Sequence, residues 1–160
     1  MEKQKKEILE ELKEKYEILK KEHKIKAELE EVNKCFSIVH VILSQGFVSE
    51  DLLSQMNNRV SDFFMNWSNY LHSLVLPNPH NMINVNENKF LSEEDRKEIL
   101  KLISKTMVYA SKNTLLGLKR SAKEDAQFLD DSVKFWNHDF SSKAILIAEK
   151  ISEGWKKSAT

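Results

Sequence analysis

The chain has little of what breaks helices. Gly occurs three times and Pro twice in 160 residues. That scarcity, in a chain rich in Glu, Lys, Leu, Ile and Ser, argues against a sheet-rich fold with its glycine-containing turns and predicts long helices. The single cysteine, Cys35, can form no internal disulfide; with no recognisable signal peptide, this points to a reducing, cytoplasmic setting. The longest apolar run, FSIVHVIL (36–43), falls far short of a bilayer span and contains a histidine, so no transmembrane segment is expected. An excess of one charge is lacking as well. The 25 basic and 25 acidic residues balance to +0, which gives no electrostatic reason to expect nucleic acid as a partner.

What the chain does contain is amphipathic helix. An apolar fraction of 41% and a charged fraction of 31% suit helices with one buried stripe and a solvated back. A domain near this size can bury ~70% of its unfolded surface without disulfide or metal. Residues 2–34 place Glu four positions before Lys at Glu2/Lys6, Glu11/Lys15, Glu17/Lys21, Glu22/Lys26 and Glu30/Lys34. Each such pair supports a helix by ~0.3 kcal/mol. In the same stretch Leu9, Leu12, Tyr16, Leu19 and His23 recur at alternating threes and fours, a coiled-coil seam. A second seam, Ile25, Leu29, Val32, Phe36, Val39 and Leu43, is offset from the first, so the stripe rotates between His23 and Ile25. The expectation is one long helix closed at Gly46, with residues 1–24 as a charged, coiled-coil-like extension and residues 25–160 as a helical bundle domain.

A second helix is expected from Ser49 to about Leu76, burying Leu53, Met56, Val60, Phe63, Trp67, Tyr70 and Leu74, widened by Phe64, Leu71 and Val75. By this count the aromatic-rich stretch FFMNWSNYLHSL (63–74) is core, with Asn66, Asn69 and Ser73 on the far side and His72 at the edge of the apolar arc. PNPHNMINVNENK (77–89) reads as a connecting loop, long against the ~2–8 residues usual between helices. FLSEED (90–95) announces a third helix capped by Ser92, and SAKE (121–124) has the spacing of a capping box that opens a fourth. One helix bent through Gly117 is the alternative there. The last helix runs through Leu129, Val133, Trp136, Phe140, Ile147 and Ile151, with Asp139 and the Ser141/Ser142 pair as the place for a kink. The fold class that follows is all-α, an antiparallel up-down four-helix bundle with an extended, coiled-coil-like N-terminal helix. Its first helix, ~65 Å at 1.5 Å per residue, would outrun the others, and the surplus must hang in water, pack on the fourth helix or find another chain.

Chemistry finds little to build on. The residues three before His23, His40, His72, His80 and His138 are Lys20, Ser37, Asn69, Pro77 and Phe135, so no Glu-x-x-His pair exists, and neither does a Cys-x-x-Cys. No metal or other cofactor is expected. Cys35, beside Val32 and Phe36, reads as structural, and His138, near Asp131 and Asp139, as solvated. No phosphate-binding glycine loop, nucleophile elbow or dinucleotide fingerprint occurs. The sequence therefore favours a non-catalytic interaction or scaffold protein that pairs with its own copy, or with another helical protein, through Leu9, Leu12, Tyr16 and Leu19. His80 and Met82 in the Asn-rich loop form a second candidate contact. The alternative is a peripheral amphipathic protein that lays Trp67, Tyr70, Trp136 and Trp155 on a lipid or polymer surface. An enzyme ranks third.

Overall fold

A computed structural model covering residues 1–160 is helical throughout, without strands. Helix α1 (Glu2–His23) ends where Lys24 turns left-handed, at φ 55°. Helix α2 (Leu29–Phe36) ends the same way at Ser37, and α3 (Ile38–Gln45) at Gly46. The long helix expected over residues 2–45 is thus three helices. Two non-glycine residues take a conformation costing roughly 1 kcal/mol each, and side chains hold both corners. At the first, the Asp130 carboxylate accepts the N–H groups of Lys26 (2.9 Å) and Ala27 (3.0 Å), while the Tyr16 hydroxyl donates to the Ala27 carbonyl at 2.6 Å. At the second, Asn33 Oδ1 accepts the Val39 N–H and Arg59 Nε donates to the Phe36 carbonyl. The offset between the two seams at His23 and Ile25 marks a corner in the chain, not a rotation of one helix.

The first seam is consequently not a free extension. Leu12 and Tyr16 are 0% exposed and, with Ile8, belong to the same continuous core as residues beyond position 24. Helix α1 packs on α3 and on α7 (Ala122–Phe135), which lie within the same chain. Burial, reinforced by Asp130 and Glu28, holds the Tyr16 phenol well above its ordinary pKa.

The frame consists of three long antiparallel helices. Helix α4 (Leu52–Val75) begins at Asp51, whose side chain accepts the Ser54 N–H. Ser49, the expected cap, instead accepts the Asp51 N–H. Helix α6 (Glu93–Lys119) opens with a capping box between Ser92 and Asp95, as its sequence indicates. Arg120 in the left-handed region then ends it, and Ser121 caps α7, so two helices stand where one bent helix was the alternative. Helix α4 runs against α6, as shown by Ser61 Oγ donating to the Ala110 carbonyl and Asn113 pairing with Asn58. Helix α6 runs in turn against α7 and α8 (Ser141–Ser158), tied by Lys105 to Asp139 and by Lys150 to Asp95. The place of a fourth long helix is taken by α1, α2 and α3, which pack over the α7 half of this frame.

Residues 77–89 are not all loop. Asn81 accepts the N–H groups of Ile83 and Asn84 and starts a short helix, α5 (Met82–Lys89), held to α4 by Asn88 donating to the Leu74 carbonyl. The asparagines that read as loop residues are the cap and the anchor of that helix. The seam of α4 is also displaced. Besides Leu52 and Asn57, its buried positions are Leu53, Met56, Val60, Phe64, Leu71 and Leu74, with Ser68 between them, whereas Phe63 and Trp67 are half-buried and Tyr70 is exposed. Both rows obey the three-four rule. The small Ser68 lets the second row pack closest.

Replacing Asp130 with Ala leaves two main-chain N–H groups of the α1–α2 corner without their charged acceptor. A loss of about 2 kcal/mol is expected in denaturant unfolding, with about 1 kcal/mol for Tyr16→Phe. Wild-type stability for Asp130→Ala would show that the corner holds itself.

Candidate functional site

The residues expected to bind a partner are not gathered by the fold. Leu12 and Tyr16 are interior, Leu9 and Leu19 half-buried, and His80 and Met82 exposed around the start of α5. What the fold does assemble at its surface is an aromatic trough along α4. Arg59, Phe63, Asn66, Trp67 and Tyr70 share one helical stripe and line an open cavity of about 420 Å³. A larger cavity of about 690 Å³ lies between the start of α6 and the end of α8. Its lining is mostly polar, and its Asp95 and Lys150 already neutralise each other.

The rings of the trough pack on a departure from regular geometry in the last helix. Phe135 and Phe140, five apart, both pack on Phe64, at 5.5 and 6.1 Å between ring centroids. Ordinary helix would separate residues five apart by about 140° around the axis. One wider turn, a π turn over Trp136–Phe140 in which the Ser141 N–H reaches the Trp136 carbonyl, brings both inward. Such single-turn widenings occur frequently at functional sites. This one lies at the expected kink and carries Trp136 against α4, edge-on to Phe63 at 5.0 Å, stacked on Phe140 at 5.1 Å and tilted against Trp67 at 6.3 Å. Trp67 in turn meets Phe140 and Tyr70 edge-on, and Phe36 from α2 closes the near end against Phe63.

Opposite charges stand at the two ends. The Arg59 guanidinium lies 5.4 Å from the Phe63 ring centroid and spends only its Nε on the Phe36 carbonyl. At the far end, Glu87 of α5 takes the Trp155 indole N–H at 3.0 Å. Burial and the nearby Glu87 together raise the Tyr70 phenol pKa. On α8, Ile145, Ala148 and Ser152 lie on the flank away from Lys150, which faces α6, and all three are exposed. This flank of α8 is therefore open to solvent, and α5 meets α8 at Trp155.

The remaining sequence candidates are accounted for by their surroundings. Cys35 is buried with its thiol 3.6 Å from Asn137 Oδ1, and burial followed by Glu31 pushes it up to about 11, where it holds its proton. His138 is an exposed residue of the π turn. No three His, Cys, Asp or Glu side chains are grouped as metal ligands, and no helix is long and apolar enough to cross a membrane. Comparison with protein families, with curated proteins and with solved structures gives no match. Spacing identifies Phe63, Trp67 and Tyr70 as one stripe; that the stripe stops at the surface depends on where α6 packs.

Asp139, in the same π turn, bridges Lys143 at 2.7 Å and Lys105 at 2.9 Å. The Lys143 and Lys105 hydrogen bonds lower its pKa below the ordinary carboxylate value. A carboxyl depressed by folding contributes stability above its unfolded pKa and loses it as pH falls through the folded value. Asp139→Asn is therefore expected to cost about 0.5–1 kcal/mol near neutrality, with the gap to wild type closing as pH drops below the carboxylate range. A gap independent of pH in urea titrations would remove this assignment.

Proposed function

We propose that this chain is a non-catalytic helical interaction protein, scaffold-like in role, that self-associates through the α4 trough. The carrying observation is the trough itself: half-buried Phe63 and Trp67 together with Tyr70, 37% exposed, line an open cavity along one stripe of α4, and half-buried Trp136 packs against Phe63 and Trp67. Aromatic residues and arginine dominate the energetics of protein interfaces, and an arginine borders this one. The N-terminal seam supports the reading less, because its central residues are occupied inside the chain. A surface-coating role also gains less support. The rings pack edge-on against one another, which keeps Phe63 and Trp67 half-buried, and they do not project together as an apolar plane.

Sedimentation of the full chain over about a hundredfold concentration range tests this. A species of twice the 18.7 kDa chain mass is expected to grow with concentration. Tyr70→Glu should weaken it at least tenfold with unchanged helicity and melting temperature. A monomer at every concentration overturns self-association.

A further inference from the structure

We infer that the occupant of the trough is a second copy of this chain, seated about a twofold axis near Asn66 so that Arg59 of each copy meets Glu87 of the other. The inference rests on the self-association proposed above and adds its geometry. A twofold contact uses the same patch twice, so a patch pairs with itself only if its two ends are complementary. Here they are. Arg59 makes no ion pair within the chain and keeps its two terminal nitrogens free, and Glu87 has no lysine or arginine partner. Arg59 and Tyr70, which lies beside Glu87, are about 16 Å apart along α4 at 1.5 Å per residue.

Two α4 helices laid antiparallel at a shallow angle of about 20°, with the axis by Asn66, bring Phe63 of one copy opposite Tyr70 of the other. Both charge pairs then close over the aromatic centre. Aromatics in the middle with charges toward the rim is the ordinary anatomy of an interface. The balanced net charge of +0 also means that two copies meet without long-range repulsion. A bound helix from another protein would need no such self-complementarity.

The test uses the full chain with Arg59→Glu, Glu87→Arg, the double variant, and an equimolar mixture of the two single variants, each followed by sedimentation and checked for folding by circular dichroism. Each single variant opposes like charges twice and should lose at least tenfold in association. The double variant restores both pairs in the homodimer. The mixture restores both in a heterodimer, as contact between residue 59 of one copy and residue 87 of the other requires. As a separate readout that leaves both charges in place, Asn66→Cys in a Cys35→Ser background should form a disulfide-linked dimer on mild oxidation. Association that ignores the charge variants, or that the mixture fails to rescue, overturns the twofold pairing and leaves self-association standing. A wild-type chain that stays monomeric removes both.

Discussion

The main-chain N–H groups of Lys26 and Ala27 end on the Asp130 carboxylate, and the rest of the arrangement depends on that attachment. A helix broken at its middle exposes donors and carbonyls that need partners, and a left-handed lysine adds conformational cost. Asp130 and Tyr16 meet those needs from α7 and α1, so the chain can turn at Lys24 and fold α1 back onto its own frame. Without the corner, α1 would continue past the bundle with its seam in water. With it, Leu12 and Tyr16 complete the core, and α1, α2 and α3 together stand in for a fourth helix over the α7 half.

That substitution explains why the surface is uneven. The long α1 and the short α2 and α3 pack over one half of the frame, and α5 meets α4 only toward its far end. The side of α4 between these two covers retains aromatic rings that a fourth long helix would have hidden. The trough is thus a product of the fold's length mismatch. The mismatch is legible in the sequence as an overlong charged first segment; the structure resolves it by folding that segment back and leaving a different stretch open.

Much of the local structure can be read from residue order alone: the all-helical class, the Ser92 capping box, the Ser121 cap, and an irregularity near Asp139. Two kinds of feature cannot. Lys24 and Ser37 carry no sequence mark of a left-handed turn, since neither is glycine and the residues that hold them, Asp130 and Arg59, are remote in sequence. The inward face of α4 is ambiguous for another reason. The rows through Phe63 and through Phe64 both run at spacings of three and four, and the packing of α2, α6 and α7 around Phe64 decides between them. The trough residues were visible as a stripe, but their exposure depends on contacts that spacing does not encode.

The wider turn at Trp136–Phe140 sets a limit on how the chain can vary. A π turn holds one residue more than ordinary helix needs at that point, so removing any single residue within it would restore regular geometry locally. The same deletion would leave the downstream phase nearly unchanged, because Phe135 and Phe140 would then stand four apart in ordinary helix, about 40° from each other, and Ile147 and Ile151 would stay toward the core. Point changes at the exposed Asn137 or His138 leave the helix phase intact, and so does the loss of one of them; a further added residue would turn the helix downstream by about 100°. Selection on this segment should therefore tolerate substitution, or the loss of one residue, far more readily than insertion, an asymmetry set by the surplus residue the turn already holds.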